Sequence, residues 1–257
     1  MYAVQSFQKL GDLQTWLGDA AGANASYAIH ARMVAAYNKR YWDAANGVYH
    51  DWVDKNDVPR TYLYVWHQFL AIEFGIASPA QAASIMEAVD AETARVRREY
   101  NVSAAASWCV PCNFRALNHS DLTVAFDGED SYGHYENGAC FYAHTGFQAL
   151  ALSRTRGADA AYARMAGALE NFEKTRFWSQ RFSWLDDVPM GADIATENLF
   201  VVWGGLFASF GVRVELLGGV VVVGPAAAAL EGANMTVGVL GRDVTINVRG
   251  GWARVIE

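Results

Sequence analysis

A run of acidic and aromatic side chains that ends at residue 138 is the part of the sequence best suited to chemistry. It reads Phe-Asp-Gly-Glu-Asp-Ser-Tyr-Gly-His-Tyr-Glu-Asn-Gly over residues 126–138. Its polar and aromatic members are Asp127, Glu129, Asp130, Tyr132, His134, Tyr135, Glu136 and Asn137. A carboxyl group held against aromatic surface can be desolvated until it is protonated near neutral pH, which acid–base cleavage of a glycosidic bond requires. Two other interpretations stay open: the acids complement the dipole and cap the first amides of the following helix, or they form a calcium loop.

A second acidic cluster lies near residue 190. Its carboxylates are Asp186, Asp187, Asp193 and Glu197, and the rings of Phe182, Trp184 and Trp203 flank it. Alternating rings and carboxylates suit a pyranose, because the C–H faces of the sugar stack on rings while its hydroxyl groups bind carboxylates. A structural role is also open, in which Asp193 or Thr196 caps the last helix.

A third group of aromatic side chains surrounds Asn46-Gly47. Residues 41–52 read Tyr-Trp-Asp-Ala-Ala-Asn-Gly-Val-Tyr-His-Asp-Trp, and Asn-Gly between such runs is typical of a tight chain reversal. Most of these residues, Trp42 among them, are therefore expected to form a structural turn. Trp66 and His67 follow at a predicted helix start, where an inward-facing histidine is more often a core residue than a ligand.

The cysteines and histidines do not form a recognisable redox or metal motif. Cys109-Val110-Pro111-Cys112 resembles a thioredoxin motif, but the residues before it, 101–107, are small and polar and cannot form the apolar strand that such a motif needs. No second cysteine pair or paired histidine follows at zinc-finger spacing, and no phosphate-cradling loop is present. The sequence therefore predicts no metal and no cofactor, and leaves carboxylate, aromatic and amide groups as the catalytic material.

Composition restricts the class of protein further. The chain has 257 residues, 20 Lys plus Arg against 27 Asp plus Glu, and a net charge of −7, which argues against nucleic acid as a partner. The longest apolar stretch, 199–212, is shorter than the roughly 20 residues that span a membrane, and residues 1–20 lack the pattern of a signal peptide. Three cysteines do not suggest a disulfide framework, so a reducing, cytoplasmic location is expected.

Hydrophobic periodicity predicts about seven helices followed by a small β unit. Apolar stripes at Leu10, Leu13 and Leu17 and at Met33, Val34, Tyr37 and Tyr41 indicate the first two helices, and a third is expected over 61–74. Ser78, Pro79 and Gln81 form a capping box for a fourth helix, whose core face carries Ala82, Ile85, Met86 and Val89. Further helices are expected over 138–154, over a segment with Tyr162, Met165, Ala166, Leu169 and Phe172 on one face, and over 197–210.

The last forty residues change to β-branched runs at 220–223, 235–240 and 244–248, which predict short strands. The alternation of Val237 and Val239 with Val244, Ile246 and Val248 predicts a hairpin with one buried face. We therefore expect a helical domain over 1–212 and a β module over 213–257. Two long aromatic-rich loops, 43–60 and 101–135, are expected to open on the same side of the helices.

The order of these features resembles the six-hairpin glycosidase superfamily, whose members are (α/α)6-barrel glycoside hydrolases and phosphorylases. The resemblance is carried by Leu-Gly-Asp at 17–19, Tyr-Asn-x-x-Tyr-Trp-Asp at 37–43, Asn-Gly-x-Tyr-x-Asp-Trp at 46–52, Val-Pro-x-Asn at 110–113 and Tyr-Glu-Asn-Gly at 135–138. It implies a mainly α fold, a partial (α/α)6 toroid of helical hairpins followed by a small antiparallel β module. Because a closed barrel needs twelve helices, the chain looks like the C-terminal half of such an enzyme.

The resemblance also implies a reaction and a set of residues. The reaction is cleavage of a small glycoside or oligosaccharide by two carboxylates. Glu136, Asp187 and Asp193 are the catalytic candidates, although the general acid of such enzymes usually comes from the earlier half. The expected substrate-binding residues are Trp42, Trp66, His67, Tyr132, His134, Tyr135, Asn137, Trp184 and Glu197.

Other functions remain open from the sequence. A disaccharide phosphorylase would need cationic ligands for phosphate, and few are present, with Arg115, Arg176 and Arg181 as the candidates. A non-catalytic carbohydrate-binding or scaffold protein on an incomplete barrel is a second alternative. A sugar epimerase would need paired histidines, for which His134 and His144 are the candidates. The expected partners are a carbohydrate and either a missing N-terminal half or a second copy of the chain.

Overall fold

A computed structural model describes residues 1–102, 108–118, 132–133, 137–175, 179–183, 188–193, 199–215 and 220–256. Seven helices lie in these ranges: α1 (Tyr2–Trp16), α2 (Ala20–Tyr41), α3 (Val65–Glu73), α4 (Pro79–Glu99), α5 (Tyr142–Arg156), α6 (Ala158–Thr175) and α7 (Leu199–Phe210). Helix α1 packs on α2, α3 packs on α5, and α5, α6 and α7 pack on one another. The prediction of a mainly α protein with small antiparallel sheets is therefore confirmed.

Local capping signals predicted the ends of several helices. Ser78 and Gln81 form the expected capping box, with Pro79 as the first residue of α4. Gly75 and Gly157 follow the ends of α3 and α5 with positive φ angles of 66° and 91°, a conformation that glycine adopts without strain. These signals are local, because a cap depends on only a few consecutive residues.

Two predicted helix starts are wrong because longer-range pairing competes with the helix. Helix α3 begins at residue 65 rather than 61, since the backbone N–H groups of Tyr62 and Tyr64 donate to the Asp51 carboxylate. Helix α5 begins at residue 142 rather than 138, since Cys140–Phe141 forms a short strand, β5. In both cases the chain enters the helix from an extended segment that is bound to another part of the protein.

Two predicted apolar faces differ from the buried ones. Leu10 on α1 and Leu17 just after its end are exposed, and Gly11 is buried where it lies against the ring of Tyr27 on α2. On α6, Met165 is buried as expected, but its predicted companions, Tyr162, Ala166, Leu169 and Phe172, are half-buried. The small residues Ala158, Ala161 and Ala168 are buried there instead.

Helices α5 and α7 approach each other closely because small residues lie at their contact. A Cβ atom on Gly146 would lie 2.5 Å from the carbonyl oxygen of Phe200. Buried Ala149, Ala161 and Ala208, one from each of α5, α6 and α7, form a cluster beside it. Helices that approach through alanine and glycine leave their larger side chains at the flanks of the contact.

The first long loop contains two hairpins. Strands β1 (Trp42–Asp43) and β2 (Val48–Tyr49) pair across Asn46-Gly47, as predicted, and Gly47 has a φ of 69°. The carboxylate of Asp43 accepts hydrogen bonds from the N–H groups of Ala45 and Asn46, which fixes the turn. Strands β3 (Trp52–Val53) and β4 (Pro59–Arg60) form the second hairpin.

The remaining strands form three sheets. Strand β5 pairs with β6 (Ser179–Ser183), which pairs with β7 (Val188–Asp193). After α7, β8 (Val212–Glu215) pairs with β9 (Val220–Val223), and β10 (Asn234–Val239), β11 (Arg242–Arg249) and β12 (Trp252–Val255) form an antiparallel sheet. The three predicted strands are confirmed, and so is the buried face of the hairpin, where Val239, Ile246 and Val248 are buried.

The buried side chains form two main cores. The larger lies among the helices and includes Tyr49, Phe69, Ile85, Phe114 and Tyr142. The smaller joins the end of α7 to the C-terminal strands through Phe207, Phe210, Val212, Ile246, Val248 and Ala253. The proposed boundary at residue 212 thus falls within the smaller core, and it stays a prediction.

The cysteine prediction is wrong for two of the three residues. Cys109 and Cys140 form a disulfide, and Cys112 is buried and is not part of a disulfide. The cysteine content therefore does not support a reducing compartment. The two cysteines of the Cys-x-x-Cys segment are not bonded to each other. In the part of the chain that the structure describes, no helix is both long and apolar enough to cross a bilayer.

Candidate functional site

Two predicted substrate-binding residues and one further histidine lie where α3 and α5 begin. Trp66 and His67 are in the first turn of α3, and His144 is in the first turn of α5. The ring centre of Trp66 lies 5.8 Å from that of His67 and 6.0 Å from that of His144. We call Trp66, His67, His144 and the neighbouring Asp51 and Tyr64 the α3–α5 cluster.

Asp51 fixes the chain that leads into this cluster. Its side chain is fully buried, and its oxygens accept hydrogen bonds from Tyr62 N (2.6 Å) and Tyr64 N (2.9 Å). Between them Leu63 is buried and has a positive φ of 57°. The same carboxylate lies 3.8 Å from Nδ1 of His67, which is too long for a hydrogen bond, so Asp51 fixes the turn and lies beside the imidazole.

Half-buried aromatic rings surround the histidine. Tyr64 lies 6.2 Å from the ring of His67, and Trp52 lies 6.4 Å from Tyr64 and 5.4 Å from Tyr62. Trp66 meets the ring of Phe147 edge-on. These contacts hold the rings of Trp52, Tyr64 and Trp66 in place without burying them completely.

The second long loop is attached beside the first. Asn113 forms a β-bridge with Tyr64, the N–H of Val65 donates to the carbonyl of Cys112 (2.8 Å), and the N–H of Phe114 donates to the carbonyl of Tyr62 (3.1 Å). The described parts of the two long loops therefore meet where α3 begins. That both loops open on one side stays a prediction, because much of 101–135 lies outside the described residues.

Asn113, Tyr132 and Asn137 secure the end of the acidic segment. The Tyr132 hydroxyl donates to the carbonyl of Asn113 (3.0 Å), and the Asn113 side chain accepts from Gly138 N (2.7 Å). The buried side chain of Asn137 accepts from Leu117 N (2.9 Å). These contacts give the predicted substrate-binding residues Tyr132 and Asn137 a structural role, and any contact with substrate stays a prediction.

Of the other predicted site residues, two are described by the structure and the rest are not. Trp42 packs edge-on against Tyr49 in the β1–β2 hairpin. The backbone of Asp193 is described, and it pairs with Ser179 at the end of the three-stranded sheet where β5 leads into α5. Four predicted substrate-binding residues and two catalytic candidates lie outside the described residues: His134, Tyr135, Trp184 and Glu197, and Glu136 and Asp187.

Sequence reasoning missed three residues that shape the region. Asp51 lies within the segment that was interpreted as a turn. Asn113 lies in the Val-Pro-x-Asn segment, and the apolar residues around it could have indicated that its side chain is buried. His144 was considered only as a partner of His134. The structure places it beside His67 instead, and nothing in the local sequence connects these two residues.

His144 is held in its neutral form. Its Nδ1 is buried and has no hydrogen-bond partner. Burial, reinforced by the neighbouring His67, lowers the pKa of His144 to about 4. Because the neutral imidazole keeps one lone pair, it can accept a hydrogen bond.

The depressed pKa of His144 predicts a loss of stability in acid. The unfolded chain takes up this proton near the ordinary pKa of 6.5 and the folded chain only near 4, so the free energy of unfolding falls as the pH drops through that window. In urea titrations, His144→Gln should reduce the loss between pH 7 and 4.5 by about 2 kcal/mol. Identical pH dependence in the two proteins would contradict the burial of a neutral imidazole.

The cluster offers an accepting imidazole, a second imidazole beside a carboxylate, and aromatic rings. Such a set can bind a polar ring compound, because rings stack on its C–H faces and the polar groups exchange hydrogen bonds with its hydroxyls. Within the described ranges, no three histidine, cysteine or acidic side chains are grouped to hold a metal ion. Comparison with family models and with curated proteins gives no match.

Proposed function

We propose that this protein binds and processes a carbohydrate at the α3–α5 cluster, as a glycoside hydrolase-like protein. The observation that carries the proposal is the set of half-buried rings of Trp66 and Tyr64 around His67 and the buried carboxylate of Asp51. Aromatic rings can stack on the C–H faces of a pyranose, and polar groups in fixed positions beside them can bind its hydroxyl groups. The resemblance of the sequence motifs to six-hairpin glycosidases supports the same substrate class.

We also propose that the helices belong to a partial (α/α)6 toroid. Helix α1 forms a hairpin with α2 and α5 forms one with α6, while the alternate helices α3, α5 and α7 pack side by side. In a toroid of hairpins, alternate helices form the inner layer. The first turns of two such helices carry the α3–α5 cluster, which would then lie at one mouth of the ring.

Hydrolysis would use two carboxylates in this arrangement. One protonates the leaving oxygen, and the other activates a water molecule on the opposite face of the sugar. Asp193 is a candidate because its backbone lies at the end of the sheet where α5 begins. Glu136 is a candidate because it directly precedes Asn137, which the Leu117 amide holds in place.

Calorimetric titration with an oligosaccharide panel, combined with a hydrolysis assay, tests the proposal. Trp66→Ala should weaken binding about tenfold, equivalent to the loss of roughly 1.4 kcal/mol of stacking. Trp16→Ala is the matched control, because Trp16 is 62% exposed at the end of α1. Wild-type affinity in Trp66→Ala would place the sugar elsewhere.

Catalysis is tested separately from binding. Glu136→Gln and Asp193→Asn should each lower turnover with little change in affinity, whereas unchanged turnover removes that residue from the catalytic pair. Binding without turnover in the wild-type protein favours the non-catalytic carbohydrate-binding alternative. Turnover only when inorganic phosphate is added favours a phosphorylase.

The proximity of His67 and His144 favours one second candidate, a sugar epimerase. Two imidazoles beside one ring could remove a proton from a sugar carbon and return one to the opposite face. Epimerisation in deuterated water would leave deuterium at the inverted carbon, and hydrolysis would not. Mass spectrometry of recovered sugars therefore separates the two reactions.

A further inference from the structure

A cleft beside the C-terminal ends of α3 and α5 has the composition of a second ligand site. It has a volume of about 390 Å³ and is lined by α1, the end of α3, α5, α7 and β8. That volume falls within the range of about 300–1,000 Å³ typical of small-molecule sites. At 1.5 Å per helical residue, the cleft residue Glu73 lies about 10 Å along α3 from Trp66.

An exposed indole forms one wall of this cleft. Trp203 exposes 56% of its surface, although it lies on a helix composed almost entirely of apolar residues. Its ring is supported edge-on by Phe207, with ring centres 4.8 Å apart. A flat ring that is held by a neighbouring ring and is more than half exposed can serve as a stacking surface.

An ion pair forms the polar part of the cleft. Nε of Arg154 donates to Glu73 (2.6 Å) and Nη2 donates to the second oxygen of the same carboxylate (3.1 Å). Both side chains remain partly exposed. The paired groups therefore retain lone pairs and N–H groups that can exchange hydrogen bonds with a ligand.

Gln5 supplies an unsatisfied acceptor. It lines the cleft from α1, and its side-chain oxygen is buried without a hydrogen-bond partner. A buried amide oxygen with no donor carries a free-energy cost, which is removed if the side chain turns toward a ligand hydroxyl in the cleft. The cleft thus combines a stacking ring, a paired donor and acceptor, and a free acceptor.

We propose that this cleft, lined by Gln5, Glu73, Arg154 and Trp203, is a second binding site for a neutral saccharide, separate from the α3–α5 cluster. The choice of a saccharide rests on the proposed function, because the chemistry of the cleft alone specifies a ligand with one apolar face and several hydroxyl groups. The ring of the sugar stacks on Trp203, and its hydroxyls bind Gln5 and the Glu73–Arg154 pair. No bond is made or broken at this site.

Fluorine NMR of the protein with 5-fluorotryptophan at its nine tryptophan positions observes the two sites separately. The Trp66→Phe, Trp203→Phe and Trp252→Phe proteins assign the three resonances that the experiment follows. Maltotriose, cellotriose, xylotriose and mannotriose are then titrated in turn. A saturable shift of the Trp203 resonance is expected with at least one of them.

The outcomes distinguish this inference from the proposed function. A shift of Trp66 without Trp203 overturns the second site and leaves the first standing, and the reverse overturns the first alone. No shift of either resonance with any of the four sugars overturns both. The Trp252 resonance is the control, because Trp252 is 53% exposed outside the cleft; a shift of Trp252 equal to that of Trp203 would reveal non-specific stacking and overturn the inference.

A second variant tests the polar part of the cleft. Gln5→Ala should weaken saccharide binding at Trp203 about three- to tenfold, as expected for the loss of one hydrogen bond, while the affinity at Trp66 is unchanged. Because Gln5 is a half-buried helix residue without a partner for its oxygen, its replacement should leave the fold intact. Unchanged affinity at Trp203 would remove Gln5 from the site.

Discussion

Replacing Cys109 and Cys140 together by alanine is expected to lower the free energy of unfolding by about 3–4 kcal/mol. The two residues are 31 positions apart, and a cross-link across such a segment removes much of the conformational entropy of the unfolded chain. Both cysteines are fully buried, so the disulfide is shielded from solvent in the folded protein. This is one of the two largest effects that we expect from a change at one or two residues.

The disulfide encloses the acidic segment and its anchors. Cys109 precedes the residues that bind Tyr62 and Val65, and Cys140 lies in β5 just before α5. The loop between them contains Asn113 and Asn137, whose side chains accept from backbone N–H groups. The double variant should therefore also loosen this segment and weaken binding at the α3–α5 cluster.

Urea unfolding with and without dithiothreitol measures this effect. The reductant should lower the stability of the wild-type protein to that of the double variant and should leave the double variant unchanged. Cys112→Ala is the control, because Cys112 is buried but not cross-linked, and it should retain the sensitivity to reductant. Three titratable thiols in the unreduced, unfolded wild-type protein would contradict the disulfide.

Local patterns predicted the elements whose stability depends on nearby residues. The capping box at Ser78, the end of α5 at Gly157 and the reversal at Gly47 each depend on a few consecutive residues. The strand pattern around Ile246 was equally reliable, because its alternation matches a sheet with one buried face. Such features carry their own signal and do not require the rest of the fold.

Features that depend on contacts between distant segments could not be predicted in the same way. The disulfide joins residues on either side of a long loop, and an odd number of cysteines gave no indication of the pair. Trp66 and His67 were predicted as substrate-binding residues, but their neighbours Asp51 and His144 come from other elements. Only the packing of α3 on α5 brings these groups together.

Asp51→Ala is expected to lower the free energy of unfolding by about 3 kcal/mol, because it leaves the N–H groups of Tyr62 and Tyr64 without their acceptor. The carboxylate is fully buried and binds both groups at short distances. The turn at Leu63 should then lose its geometry, and α3 would begin from a less ordered segment. Saccharide binding at Trp66 should fall in parallel, since the carboxylate also lies beside His67.

Asp54→Ala is the matched control for this prediction. Asp54 also accepts hydrogen bonds from two backbone N–H groups, those of Asn56 and Val58, but its side chain is partly exposed in the β3–β4 hairpin. Water can replace its oxygens, so its loss should lower the free energy of unfolding much less than the loss of Asp51 and leave binding at Trp66 unchanged. The stability of Asp51→Asn should lie between the stabilities of these two variants. Its one amide oxygen can still accept a hydrogen bond, while its amide N–H group faces the second donor. Equal stabilities for Asp51→Ala and Asp54→Ala would contradict the organising role of Asp51, and a stable Asp51→Ala protein that no longer binds sugar would assign Asp51 to ligand contact instead.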